Sequence, residues 1–316
     1  MNADIEDVRR RRDEVVARHG AWTAHNVRLA DGVYTIGPEP SGDEVKLRRV
    51  TQLALDAFGG SLHGVRVLDL ACLEGMYALE LARRGAEVVA VEGREANLAK
   101  ARFAADVLGL DVDFRLEDVR HVDRERHGDF DLVLALGILY HLDAPDLLAL
   151  VENLGELCRR ALIVDSAVAR AATETIAHDG RAYRAERLVE HEPGSTAEQR
   201  LQAVWSSLDN LTAVALTRPS LETLLAANGF TSVLECHVPA EPAKEVNRVT
   251  LLALKGEPAG TLVSATPAAD PAAVPERPPL GRRLEGGAAW RLGGRLLPPA
   301  VRARLRRALG AETRRH

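Results

Sequence analysis

The chain has 316 residues, a formal charge of −5, and 46% hydrophobic but only 4% aromatic residues. It is long enough for one large core of Leu, Val and Ala with additions, and its composition excludes a disordered chain and a bilayer-spanning one. The charged N-terminus, with Arg9 to Arg12 among acidic residues, lacks the apolar stretch of a secretory leader. Three widely spaced cysteines, Cys72, Cys158 and Cys236, read as small buried hydrophobes in a reducing compartment, so a cytoplasmic location is expected. From Gly281 to His316 ten arginines face only Glu285 and Glu312, a charge of +8; taken from −5 overall, that leaves −13 on the first 280 residues. So acidic a body disfavours nucleic acid as a partner, because phosphate contacts supply most of such affinity.

In chain order, Asp4 to His19 reads as a charged helix with a thin apolar stripe of Ile5, Val8, Val15 and Val16. Asp31-Gly32 between alternating apolar positions marks a hairpin within Trp22 to Thr35, serving either as a lid over a ligand or as an N-terminal brace. Ser41, in the loop Pro38 to Gly42, is placed to cap a helix from Glu44 to Phe58. Strands and helices then alternate: Arg66 to Leu70, Tyr77 to Arg84, Glu87 to Val91, Ala96 to Leu108, Val112 to Arg115, Phe130 to Leu136, Pro145 to Leu157 and Ala161 to Asp165. Such alternation demands an α/β fold with a mainly parallel, doubly wound sheet, whose ligands bind at the carboxyl ends of the strands.

Ser166 to Thr217 interrupts the alternation with His178, Asp179, Tyr183, Glu186, His191, Glu192 and Trp205. An insertion of this composition builds an acceptor pocket, with His191 or Asp179 as a base, or is a solvated loop. Pro219-Ser220 is expected to cap a last helix, followed by Gly229-Phe230 and strands from Ser232 to His237 and Arg248 to Leu254. Pro and Ala dominate Gly256 to Pro279, as in a linker. Beyond it Trp290, Leu292, Leu296, Leu297, Val301, Leu305 and Leu309 alternate with arginines. This basic amphipathic tail suits an anionic membrane surface or a partner, docks on the acidic body, or is unstructured. The chain therefore divides into an N-terminal helix and lid (1–45), a ligand-binding domain (46–255) with an insertion (166–217), a linker (256–280) and a tail (281–316).

The chemistry centres on Val67 to Gly75, V-L-D-L-A-C-L-E-G, a buried strand running into a small-residue turn, with Glu92 at the tip of the next strand. Such a turn lets a ligand approach the backbone, and a carboxylate at the second strand's end accepts from ribose hydroxyls. The pattern D-x-G-x-G-x-G is met by Asp69, Ala71, Leu73 and Gly75, so only its last glycine survives. Without the phosphate fingerprint, a nucleoside ligand lacking phosphates is favoured over a dinucleotide. S-adenosylmethionine answers that description.

These residues resemble the class I S-adenosylmethionine-dependent methyltransferases, over about Lys46 to Lys255. The segment Gly137-Ile138-Leu139-Tyr140-His141-Leu142 is similar to that of the tRNA wobble-uridine methyltransferase-like branch. The resemblance implies a Rossmann-like, seven-stranded, mainly parallel sheet closed by an antiparallel hairpin. It also implies cofactor contacts from Lys46, Asp69, Ala71, Leu73, Gly75, Glu92, Gly93, Glu117, Asp118, Val119 and Leu136, with the Asp118 region meeting the adenine and Leu136 the methionine portion. Tyr34, Tyr140, His191 and Arg248 become acceptor contacts, although a strand-start arginine such as Arg248 equally suits a plain surface. His141 is placed either as general base or as a helix-start residue that only packs.

The reading that follows is an O-methyltransferase acting on a hydroxyl of a small molecule, such as a sugar, glycolipid or natural-product intermediate. The alternatives are a wobble-uridine-type enzyme, which the acidic body disfavours, and a non-catalytic binder of the same cofactor. No metal-ligand cluster has a telling spacing, and none is assigned.

Overall fold

In the computed structural model, residues 5–39, 44–239, 241 and 247–257 are described. The Ser41 cap, nearly all of the linker and the whole basic tail lie outside them. The helices are α1 (Ile5–His19), α2 (Glu44–Ala57), α3 (Met76–Arg83), α4 (Glu95–Leu108), α5 (Arg124–His127), α6 (Ala144–Leu157), α7 (Ala197–Gln202) and α8 (Arg218–Ala227). The strands are β1 (Arg28–Ala30), β2 (Val33–Tyr34), β3 (Arg66–Leu70), β4 (Glu87–Glu92), β5 (Asp113–Leu116), β6 (Phe130–Leu136), β7 (Cys158–Ala167), β8 (Glu174–His178), β9 (Arg181–Val189), β10 (Thr212–Leu216), β11 (Ser232–Glu235) and β12 (Arg248–Leu254).

Seven strands form one sheet in the order β11-β12-β7-β6-β3-β4-β5. Strands β3 to β7 are mutually parallel, while β12 runs antiparallel to β7 and β11 antiparallel to β12. The near-continuous apolar runs of β3, β4 and β6 follow from burial on both faces. Alternate residues divide between the faces, as the two-residue period of a strand requires. Val67, Val88, Ala90, Leu132 and Leu134 join the core beneath α1 to α4, whereas Leu68, Leu70, Val89, Val91 and Val133 join the core beneath α6 and α8. The chain crosses from β3 toward β4 and β5 on one side and from β6 toward β7 on the other. This reversal of winding opens a crevice at the carboxyl ends of β3, β4 and β6.

Local chemistry shifts several expected boundaries. The α8 N-cap is Thr217, whose hydroxyl accepts from the Ser220 amide; Pro219 and Ser220 lie inside the first turn, and the Ser220 hydroxyl accepts instead from the Arg184 amide at 2.7 Å. Strand β5 lies one residue later than expected, and β11 ends at Glu235 rather than His237. The insertion is not an irregular loop. β8, β9 and β10 form an antiparallel sheet in the order β10-β9-β8, and the Val214 amide donates to the Leu142 carbonyl at 2.9 Å, which ties that sheet to the segment after β6. Among the described residues, no helix is long and apolar enough to cross a membrane.

The N-terminal hairpin forms at Asp31-Gly32 as expected, with β1 antiparallel to β2. What fastens its approach segment is Glu74, a residue of the turn after β3 that is fully buried. Glu74 accepts from the amides of Thr23 (2.8 Å), Ala24 (3.2 Å) and His25 (3.1 Å) and from the Thr23 hydroxyl (3.2 Å). The Lys100 ammonium, 3% exposed, lies 3.1 Å from Glu74 and donates to the Ala21 carbonyl at 2.7 Å. Removing one partner of such a pair strands the other charge away from water. Lys100→Met is therefore expected to lower unfolding free energy by about 3–5 kcal/mol in urea titrations; a loss under about 1 kcal/mol would mean that the amides alone hold Glu74.

Candidate functional site

The turn after β3 is built with left-handed backbone at residues that are not glycine. Ala71 and Leu73 both have φ of 51°, and Gly75 has φ of 83°. Side chains rarely adopt this region, so the conformation is held by its surroundings. The Cys72 amide donates to the Val91 carbonyl at 3.0 Å, and the Leu73 amide donates to the Glu92 carboxylate at 2.9 Å. Gly75 is needed for a different reason: a Cβ there would stand 2.8 Å from the Ala101 Cβ of α4. The first two glycines of the pattern are thus dispensable as residues although their conformation is kept.

A cavity of about 370 Å³ opens over this turn at the carboxyl ends of β3, β4 and β6, within the size range of small-molecule sites. Of the residues singled out in the sequence, Lys46, Asp69, Ala71, Leu73, Glu92, Gly93, Asp118, Val119, Leu136, Tyr140, His141 and Arg248 line it. Four do not. Gly75 packs on α4. Glu117 turns away from the cavity, with Oε2 3.0 Å from His127 Nε2 and Oε1 2.6 Å from Arg126. The side chain of Tyr34 is not part of the cavity wall, and its carbonyl accepts from Arg12 at 3.2 Å. His191 is buried within the insertion, its Nε2 2.9 Å from the Ser207 carbonyl.

The Glu92 carboxylate is 4% exposed and accepts from Leu73 N, from Arg94 N at 2.9 Å and from Asn97 Nδ2 at 3.2 Å. Burial raises its pKa, and these donors do not fully offset that. A carboxylate offers about four acceptor positions, so one remains for an incoming hydroxyl. Asp69, 1% exposed, has a different balance. The Ala78 amide donates to it, but its Oδ2 meets no protein donor; burial, with Glu92 nearby, pushes its pKa up to about 8. A buried carboxylate with an orphaned oxygen on a cavity wall is suited to a cationic ligand group.

Across the crevice Asp165 is fully buried. Burial acts to raise its pKa, but Arg248, Lys46 and the Thr250 hydroxyl outweigh it and hold the group below its ordinary value. Arg248 Nε lies 2.5 Å from Asp165 Oδ1 and its Nη1 donates to Tyr140 Oη at 3.1 Å, while Lys46 Nζ is 3.8 Å from the same carboxylate. Gly137, at φ of 84°, leaves room for this guanidinium; a Cβ there would stand 3.2 Å from Arg248 Nη2. Just beyond β5 Asp118 caps the turn Val119–His121 and pairs with Arg120, which also reaches Asp146 and Asp209. Burial opposes ionisation of Asp118, but Arg120 lowers its pKa overall.

Further residues complete the wall. His25 accepts from the Met76 amide at 3.2 Å, satisfying an N-terminal donor of α3, and burial plus the Lys46 charge push its pKa down to about 3, so it is neutral. Arg94 donates to the carbonyls of Arg200, Leu201, Ala203, Ser206 and Ser207, fixing the insertion over the crevice. Leu208 from that segment fills the space a Cβ on Gly93 would need. Trp205, 63% exposed, stands at the rim. His141 Nδ1 lies 3.0 Å from both oxygens of Glu190. Burial, then Asp69 and Glu92, push the Cys72 thiol pKa well up, which disfavours its thiolate. Among the described residues no group of side chains forms a metal site.

Residues 67–161, the span from β3 to β7, match a family described as a methyltransferase domain. That span is a methyltransferase domain, and the sheet around it has the Rossmann-like fold of the class I methyltransferases. Its class uses S-adenosylmethionine as cofactor, and the cavity, the hydroxyl acceptor on Glu92 and the orphaned Asp69 oxygen fit that molecule. The N-terminal domain of EvdMO1, solved with S-adenosylhomocysteine and D-fucose, shares this methyltransferase fold: TM-score 0.61, 24% identity, 80% of this chain and 98% of that one. Curated relatives include a ubiquinone biosynthesis O-methyltransferase of Bradyrhizobium diazoefficiens, 40% identical over 82 residues, 26% of this chain and 31% of that protein. The namesake from Alkalilimnicola ehrlichii is 32% identical over 124 residues, 38% of this chain and 50% of that protein. The chain thus spans about a third to a half of the length of these curated relatives.

The raised pKa of Asp69 has a defined sign. Between about pH 4 and pH 8 the folded methyltransferase domain binds a proton that the unfolded chain has released, so stability falls as pH rises through that window. Asp69→Asn is expected to flatten that part of the pH dependence of urea midpoints while leaving the rest unchanged. An equally sloped profile in the variant would place the proton elsewhere.

Proposed function

We propose that the chain transfers a methyl group from S-adenosylmethionine to a hydroxyl of a small-molecule acceptor. The observation that carries this reading is a histidine, His141, on the wall of the same cavity as Glu92 and Asp69. The cofactor, when bound, supplies an already activated methyl on a sulfonium, so the protein's task is to align the acceptor, exclude water and remove a proton. Glu92 takes a ribose hydroxyl, Asp69 gives up its proton as a cationic ligand arrives and then balances that charge, and the backbone of Ala71 and Leu73 lets the ligand approach. The insertion, clamped by Arg94, covers the crevice, and His141 accepts the hydroxyl proton as general base. The relatives named for O-methylation in ubiquinone biosynthesis, and the fold neighbour solved with a sugar, support a hydroxyl acceptor.

One observation favours a second reading, a wobble-uridine-type enzyme: Lys46, Tyr140 and Arg248, on which that resemblance partly rests, converge on the cavity. The charge of −13 on the first 280 residues argues against it. Incubation with labelled S-adenosylmethionine and, in parallel, total tRNA and pools of sugars, phenols and other metabolites separates the two. Label is expected in the metabolite pools; label confined to RNA would reverse the ranking, and label in neither would leave a non-catalytic binder.

Two substitutions test the division of labour. Glu92→Gln removes the charge but keeps a carbonyl acceptor, and is expected to weaken S-adenosylhomocysteine binding by about 1.5–3 kcal/mol in calorimetry. His141→Ala is expected to leave that affinity within about twofold and to cut turnover on the identified acceptor a hundredfold or more. Turnover close to the parent's would show that His141 only packs.

A further inference from the structure

Glu190 stands immediately beyond β9, in the insertion, and its side chain is 5% exposed. Both of its oxygens lie 3.0 Å from His141 Nδ1, and Oε2 also accepts from the Ser207 amide at 2.6 Å. An ionised carboxylate can only accept, so the Nδ1 that faces it must carry a proton. The neutral imidazole is then the Nδ1–H tautomer, and the lone pair is on Nε2. The residue is held from other directions too, through its backbone and through its ring. Asn210 Nδ2 donates to the His141 carbonyl at 2.9 Å, and the Tyr140 ring centroid lies 4.2 Å from that of the imidazole.

We infer that Glu190 is the positioning residue of this site, holding His141 in the one tautomer that can take a proton through Nε2. The inference rests on the reading of His141 as the base and adds a residue to it. In the transfer, the acceptor oxygen bonds the methyl carbon as the carbon–sulfur bond breaks and its electron pair stays on sulfur. The hydroxyl proton passes to Nε2, and the imidazolium so formed lies against the Glu190 carboxylate, which stabilises the new charge. Because the same carboxylate holds the Ser207 amide, the base is aligned only when the 203–210 segment is seated over the crevice.

The test reads the tautomer directly and needs no acceptor. The full chain, labelled with nitrogen-15 at histidine, is examined by NMR with S-adenosylhomocysteine, and the His141 signals are assigned by their loss in His141→Ala. The parent is expected to show the Nδ1–H form. In Glu190→Gln the amide carbonyl is expected to keep the Ser207 amide and turn its NH2 toward Nδ1, so His141 switches to the Nε2–H form. An Nε2–H form in the parent, or an unchanged tautomer in Glu190→Gln, overturns the inference; if that variant fails to fold, the parent's tautomer alone decides. Calorimetry on the same samples separates the two levels. Absent S-adenosylhomocysteine binding sinks the methyltransferase reading whatever the tautomer, whereas binding with the wrong tautomer sinks only the role of Glu190.

Discussion

Glu74 carries a charge at zero exposure, and much of the architecture around the crevice exists to satisfy it. An unpaired carboxylate in that position would cost several kcal/mol, so it gathers Lys100 and three consecutive amides from the N-terminal segment. Those four contacts hold three things in register: the turn after β3, the start of α4 and the segment that delivers Ala24 and His25 to the cavity wall. The left-handed backbone at Ala71 and Leu73 is tolerable in this setting because the turn is fixed from both ends.

Around that turn the buried carboxylates have been given different environments. Glu92 meets three donors and Asp165 meets two cations and a hydroxyl, whereas Asp69 keeps an oxygen with no protein partner. Electrostatic completeness at Asp165 makes it a structural hub for Arg248 and Lys46. Incompleteness at Asp69 is what a ligand carrying positive charge would relieve. Similar residues at neighbouring strand ends therefore do different work, and the difference lies in what surrounds them.

The insertion contributes the second half of the site. Its sheet docks on the segment after β6, Arg94 collects five of its carbonyls, and Glu190 reaches from it to His141. The carboxyl edge of β3 and β4 and the insertion that covers it thus come from separate parts of the chain, joined through Arg94, whose amide donates to Glu92 and whose guanidinium grips the insertion.

The sequence alone determined the alternating α/β pattern, the mainly parallel sheet and the turn and acid at its carboxyl edge, because these follow from local periodicity and from small residues and acids at strand ends. His141 was legible for the same reason, as a histidine just past a strand. Tertiary structure decided the rest. Glu117 and Asp118 are adjacent in sequence, yet one pairs with His127 and Arg126 away from the cavity while the other lines it, a choice set by which partners fold against each. Nothing local records what Glu74, Arg94 and Glu190 touch: Glu74 meets Thr23 from 51 residues away, Arg94 meets Leu201 from 107, and Glu190 meets His141 from 49. His191, one of the two bases expected in the insertion, instead meets the Ser207 carbonyl of its own segment, since a buried imidazole needs a partner.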